Sequence, residues 1–161
     1  PQDTDNRLLF VPFDNDGFIT YGSLPLSQSK SASAIHASGP LARDTISFEV
    51  TSIFNGGSQN GLVIGSIEHD TWKSAIRMIG SRDNRRITKL ECYSGASHSA
   101  TRDDKVHGSI KSTTVKSSRM FVGFFDDWRL GMETFGEANA AVVPKREWTK
   151  GTPFGLNSWG V

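Results

Sequence analysis

Thr45-Ile46-Ser47-Phe48-Glu49-Val50 alternates apolar and polar residues without a break. In an extended chain Ile46, Phe48 and Val50 point to one side and Thr45, Ser47 and Glu49 to the other, the pattern of a half-buried strand. The alternation slips at Ile53 and Phe54, and Asn55-Gly56-Gly57-Ser58-Gln59-Asn60-Gly61 then offers several positions able to take positive φ before Leu62-Val63-Ile64 resumes. That spacing predicts a hairpin with a long loop. Beyond it, strands are expected over residues 75–79, 86–93 and 120–125, the first two joined by the turn Ser81-Arg82-Asp83-Asn84-Arg85. Met120, Val122 and Phe124 alternate with Phe121 and Phe125, so the last strand is apolar on both faces. It is expected at the centre of its sheet, with Phe48 and Phe124 both turned inward.

Helices should be scarce. Sixteen Gly and six Pro, with many Ser and Thr, cut the chain of 161 residues into short pieces, and few windows keep apolar residues at helical spacing. One short helix of a turn or two is expected around residues 136–141, rich in Ala and ended by Pro144. Residues 23–38 and 94–118 are rich in Ser and Thr and read as surface excursions, with Ile110 and Val115 marking a short edge strand in the second. Nine to twelve short strands with regular turn signals define an all-β fold. The expected architecture is a two-sheet antiparallel β-sandwich, jelly-roll or concanavalin-like, over residues 1–161 as a single domain.

The charge total excludes some partners. Eighteen Lys and Arg against seventeen Asp and Glu leave +1, which is not the field of a general nucleic-acid binder. The acidic start Pro1-Gln2-Asp3-Thr4-Asp5 is no RNA-packaging arm either. The longest apolar stretch, residues 121–125, is too short for a membrane-spanning helix or a signal-peptide core within these residues. Cys92 is the one cysteine, and no Asn-x-Ser/Thr acceptor occurs, which points to a cytoplasmic protein or to a virion component made in a reducing compartment. Cys92 itself, between Glu91 and Tyr93 on a strand, is expected in the core.

Most chemical motifs are incomplete. Asp14-Asn15-Asp16-Gly17 has oxygens of the kind calcium takes, but the twelfth position of such a loop is Pro25, so a tight turn explains it. Ser97, His98 and Ser99 before Asp103 and Asp104 lack a nucleophile elbow. His36, His69, His98 and His107 fall into no zinc spacing, and no glycine-rich phosphate loop follows a strand, so neither a metal nor a cofactor is expected. Ile67-Glu68-His69-Asp70-Thr71-Trp72 is the strongest catalytic candidate. Extended, it would set Glu68 and Asp70 on one face beside an indole, as a sandwich glycan hydrolase or lyase requires.

Two features point to ligand binding. Lys73, Arg77, Arg82, Arg85, Arg86 and Lys89 stand against the single Asp83, a local excess of +5 that could steer an anionic ligand or protect an edge hairpin. Trp72, Trp128, Trp148 and Trp159 all sit beside charged or loop-forming residues, and a part-exposed indole there anchors a sugar ring or a partner's side chain. Trp72, Trp128, Arg82, Arg85, Arg86 and Asp70 are therefore the candidate binding residues.

The order of blocks resembles the SPRY domain. Ser31-Ala32-Ser33-Ala34-Ile35, Gly39-Pro40-Leu41, Ile46-Ser47-Phe48-Glu49-Val50 and Gly61-Leu62-Val63-Ile64-Gly65 are similar to that family's opening strands. Cys92-Tyr93-Ser94-Gly95 resembles its middle block, and Val122-Gly123 with Asp127, Gly131 and Phe135 its late one, Phe135 lying on a strand. The likeness covers residues 31–136. It departs where Gly136-Glu137 replaces an Asn-Gly and where the polar stretch 94–118 intervenes. The resemblance implies a concanavalin-like, non-enzymatic module that binds peptide or protein through rim loops or one sheet face. The expected function is thus recognition of a partner protein or glycan, with a virion surface or capsid attachment domain and a Glu68/Asp70 glycan-cleaving enzyme as the other readings.

Overall fold

The computed structural model describes residues 6–11, 22–25, 44–80, 87–95, 108–144, 147–151 and 155, with backbone alone at 22–25 and 44. Strands β1 (Asn6–Phe10), β2 (Gly22–Pro25), β3 (Asp44–Phe48), β4 (Val50–Asn55), β5 (Gly61–Ser66), β6 (Ser74–Gly80), β7 (Ile87–Ser94) and β8 (Met120–Phe125) precede one helix, α1 (Trp128–Val142). All pairings are antiparallel. They form a five-stranded sheet, β2-β1-β4-β5-β8, and a three-stranded sheet, β3-β6-β7, which together make a two-sheet β-sandwich. The hairpin with its long loop is β4 and β5, paired from Val50↔Gly65 to Phe54↔Gly61.

A single residue divides the sheets. Glu49 stands between β3 and β4 with φ of 65°, a left-handed conformation that costs a residue bearing Cβ about 1–3 kcal/mol. The surroundings hold it there. Its N–H donates to the Ser74 carbonyl (2.9 Å), its own carbonyl accepts from Ser66 N–H (2.8 Å), and its Oε1 accepts from Ser74 N–H (3.3 Å). The break in alternation therefore falls at Glu49 and not at Ile53. Phe48 packs with Ala75, Ile46 and Tyr93 on the three-stranded sheet, while a Val50 methyl sits beside Gly65 on the other.

α1 covers one face of the five-stranded sheet. The register Gly65↔Phe121, Val63↔Gly123 and Gly61↔Phe125 brings β5 and β8 side chains together on that face. Gly131 of α1 stands so close to Val63 and Phe125 that a Cβ there would lie 2.8 Å from a Val63 methyl and 2.5 Å from the Phe125 ring. Phe135 crosses Phe121 edge-on at 5.8 Å, and Trp128 stacks on Phe54 at 4.3 Å. Asp127 caps the helix by accepting from Arg129 N–H (2.9 Å), and Trp128 N–H donates to the carbonyl of Gln59 (2.9 Å), whose φ of 64° turns it toward the helix. Hydrogen bonds from the Arg129 side chain, then from its N–H, hold the Asp127 carboxyl down at about 2. The helix ends at Val143, with Pro144 behind it.

Several expectations need correction. The helix runs fifteen residues, not a turn or two around 136–141. Phe135 lies on it, not on the strand that the SPRY likeness implies. Among the described residues β8 is an edge strand rather than a central one. Its Phe121, Gly123 and Phe125 face α1, whereas Val122 and Phe124 on the other face are 63% and 67% exposed. Phe48 is buried as expected; Phe124 faces water. Cys92 is exposed instead of buried, because β7 is the edge of the three-stranded sheet, and partial desolvation pushes its thiol up. Ile110 and Val115 are exposed and lie on no strand.

Among the described residues the buried apolar side chains are Leu8, Phe10, Phe54, Val63 and Ile64 on the larger sheet and Phe48, Ala75, Ile76 and Met78 on the smaller. Hydroxyls are buried among them and mostly serve backbone: Thr51 donates to the Leu9 carbonyl (2.8 Å) and Ser47 to that of Val50 (2.8 Å). No helix among the described residues is long and apolar enough to cross a membrane.

Candidate binding cleft

Residues 67–73, which join β5 to β6, leave the sheet as a loop and lie across from residues 108–119, an extended run outside both sheets. Between them opens a cleft of about 380 Å³ lined by Glu68, Asp70, Thr71, Trp72, Ile110, Thr114, Val115, Lys116 and Ser118. Glu68 and Asp70 both line this cleft from a loop, where the sequence alone sets them on one face of an extended stretch.

Hydrogen bonds hold the two walls together and tie the second to the three-stranded sheet. Ile67 N–H donates to the Arg119 carbonyl (3.0 Å), and Trp72 Nε1–H donates to the Lys116 carbonyl (2.8 Å). Ser118 is buried; its hydroxyl meets that of Ser74 (3.1 Å), and its N–H donates to Ser94 Oγ (3.0 Å). The Trp72 ring lies against Gly95, at φ of 85°, where a Cβ would come within 3.3 Å of the indole. Trp72 is consequently fixed and half-buried, its N–H satisfied and part of its ring facing the cleft.

Glu68 is a clamp. Its Oε2 accepts from Arg119 N–H (2.9 Å) and its Oε1 from Arg119 Nε–H (2.5 Å). These bonds, the backbone one first, hold the Glu68 carboxyl below the usual glutamate range. An acid that protonates a leaving group needs the opposite shift, so Glu68 is not suited to the acid role of such a pair. A group titrating lower in the folded chain stabilises it above the unfolded value and loses that contribution as pH falls through the folded one. An NMR pH titration should accordingly find the Glu68 carboxyl midpoint below that of an ordinary glutamate, with the Arg119 amide moving at the same midpoint. A Glu68 midpoint at or above the ordinary value would contradict the clamp.

A second linkage runs from this loop to the helix. His69 Nε2 lies 2.9 Å from Asn139 Oδ1, and the Asn139 amide donates to the Phe135 carbonyl (3.0 Å). His69 Nδ1 lies 2.8 Å from Glu49 Oε2, near enough for ion pairing but out of line for a hydrogen bond, so that buried oxygen has no donor. The loop that bears Trp72 is thereby tied to both α1 and the Glu49 kink.

The other candidate residues are elsewhere. Trp128 is half-buried at the start of α1, stacked on Phe54 and donating its indole N–H to Gln59 Oε1 (3.2 Å). Arg82, Arg85 and Arg86 lie outside the described residues, as do Trp159, the Asp14-Asn15-Asp16-Gly17 turn, the Ser97 to Asp104 group, and His36, His98 and His107. Of the remaining cations in the cluster, Arg77 and Lys89 face Glu91 at 3.9 Å and 2.6 Å, so the local excess is partly cancelled by a carboxylate just past the counted stretch. Trp148 is the most exposed described tryptophan at 63%. Sequence reasoning missed residues 114–118, because no local signal pairs them with Trp72, more than forty positions away.

No family model, curated protein or solved structure matches the chain. The resemblance to the SPRY domain rests on the residues quoted for it alone, and the site is argued from its own geometry.

Proposed function

We propose that this chain is a non-catalytic recognition domain that takes a segment of a partner protein, or a glycan, into the cleft between residues 67–73 and 108–119. The observation that carries the reading is the immobilised indole of Trp72, rimmed by the Asp70 carboxylate, the hydroxyls of Thr71 and Thr114, and the exposed side chains of Ile110 and Val115. A rigid aromatic anchor inside a mixed polar and apolar rim is the usual composition of a binding hot spot. Ile110 and Val115 favour a peptide, since an apolar rim gains from covering side chains more than from covering sugar hydroxyls. The SPRY-like blocks point the same way. A glycan is the second reading, favoured by an indole next to a carboxylate and hydroxyls.

Parallel peptide and glycan arrays test the proposal. Trp72→Ala should weaken binding of the best hit at least about tenfold, the loss of a hot-spot side chain. Thr114→Lys, on an exposed rim residue with its backbone N–H bonded to Ser112, should do the same without touching the core. Trp128→Phe should bind like the parent. Unchanged affinity in both cleft variants, with circular dichroism intact, would end the proposal.

A further inference from the structure

The outer edge of β8 is unusual for its composition. Among the described residues its only ladder is with β5. Its side chains are Met120, Phe121, Val122, Phe124 and Phe125, with none of the charges or prolines that protect an open edge. Val122 and Phe124 are exposed on the face away from α1.

The hydrogen bonds set the phase of that edge. The Arg119 carbonyl accepts from Ile67 N–H, so Arg119 turns its polar backbone groups toward β5. By alternation Phe121, Gly123 and Phe125 do likewise. The N–H and C=O groups of Met120, Val122 and Phe124 therefore point outward, and of these residues Val122 and Phe124 also have exposed side chains. Among the described residues, backbone and side chains are open together there.

We propose that a second copy of this chain pairs with this edge, β8 against β8 antiparallel, about a two-fold axis through Gly123. A sheet continued across a two-fold axis must keep opposed residues on the same face, which leaves axes at Val122, Gly123 or Phe124 as the compact choices. Charge selects among them. The Gly123 axis sets Val122 directly opposite Phe124 twice and, beyond the ends of β8, brings Arg119 of each copy toward the helix cap Asp127 of the other. The Phe124 axis opposes Arg119 to Arg129. The Val122 axis opposes Arg119 to Phe125. Arg119 and Asp127 already hold Glu68 and Arg129, but a guanidinium and a carboxylate each keep capacity for a further bond. In the Gly123 register the Val122 and Phe124 pairs are also the hydrogen-bonded ones, so each exchanges N–H···O bonds in both directions.

Sedimentation and cysteine cross-linking test this. In a Cys92→Ser background, Val122→Cys and Phe124→Cys are made as separate chains. A hydrogen-bonded pair has Cα atoms about 5.5 Å apart, inside disulfide reach, whereas like residues offset by two positions are beyond about 7 Å. Mild oxidation of the mixture should yield a covalent dimer with one chain of each kind, and each chain alone should cross-link far less. The parent should sediment at twice its chain mass, and Val122→Lys, an exposed and foldable change, at the mass of one chain. A parent that stays monomeric at the highest concentration reached overturns the proposal. So does efficient cross-linking of either variant with itself, which would place the axis elsewhere.

Discussion

Ile76→Ala is expected to lower unfolding stability by about 2–5 kcal/mol, the range for truncating a buried aliphatic side chain and leaving a cavity. Ile76 is 1% exposed on β6, the middle strand of the three-stranded sheet, with Ser47 of β3 on one side and Cys92 of β7 on the other. Its neighbours are anchored and do not close the gap readily: Ser47 donates to the Val50 carbonyl and accepts from Val11 N–H, which also ties β3 to the end of β1. The cost should sit near the middle of that range. For a domain of this size, 1 kcal/mol moves Tm by roughly 2–4 °C, so a drop on the order of 10 °C is expected in calorimetry. A variant within about 2 °C of the parent would mean that the small sheet contributes little to the cooperative core.

The second large effect is a pair of opposite sign on one helix. Gly131→Ala and Gly136→Ala each remove a helical glycine, and intrinsic propensity alone makes both stabilising by about 1 kcal/mol. Packing separates them. At Gly136 a new Cβ meets nothing within 4 Å, so the full gain should appear. At Gly131 it meets the Phe125 ring at 2.5 Å and a Val63 methyl at 2.8 Å, and Val63 is completely buried and cannot step aside. Overpacking typically costs about 1–3 kcal/mol, which exceeds the propensity gain. Denaturant titration should place Gly136→Ala above the parent and Gly131→Ala below it, about 1–3 kcal/mol apart, the propensity gain being common to both. Equal stabilisation by both would show that α1 does not sit against β5 and β8 as described.

The same glycine explains why the helix was hard to read. Trp128, Gly131, Met132, Phe135 and Val142 are spaced for one helical face, and Asp127 and Pro144 mark its ends, but the position of closest approach is occupied by the residue that scores worst for helix after proline. Strands were easier. Residues 45–48 and 120–125 declared themselves by period two, although the first pattern ran on through the Glu49 kink into a strand of the other sheet, and the Asn55 loop declared itself by its glycines. Asn55 Oδ1 accepts from the N–H groups of both Gly57 and Ser58 at 2.9 Å, a local Asx bond that depends on nothing distant. Alternation tells which side chains share a face and not whether a strand is central or at an edge. Phe124 and Cys92 were therefore expected inside and lie outside, one on β8 and the other on β7. A positive φ at Glu49 carries no signal in the residue itself, since the bonds that stabilise it come from Ser66 and Ser74. The cleft was half legible. Glu68, Asp70 and Trp72 were named as neighbours in one short stretch, whereas the wall that turns them into a concave site comes from an extended run with little apolar patterning.

Recognition at the Trp72 cleft is tested most directly by titrating the ¹⁵N-labelled chain with the tightest-binding member of the peptide and glycan arrays. Saturating shifts at the Trp72 indole N–H and at the amides of Thr114, Val115 and Lys116, with Trp128 and Gln59 unmoved, are the expected result. Shifts gathered around Trp128 and Gln59, or on β7, with the Trp72 indole unchanged at saturation, would contradict it.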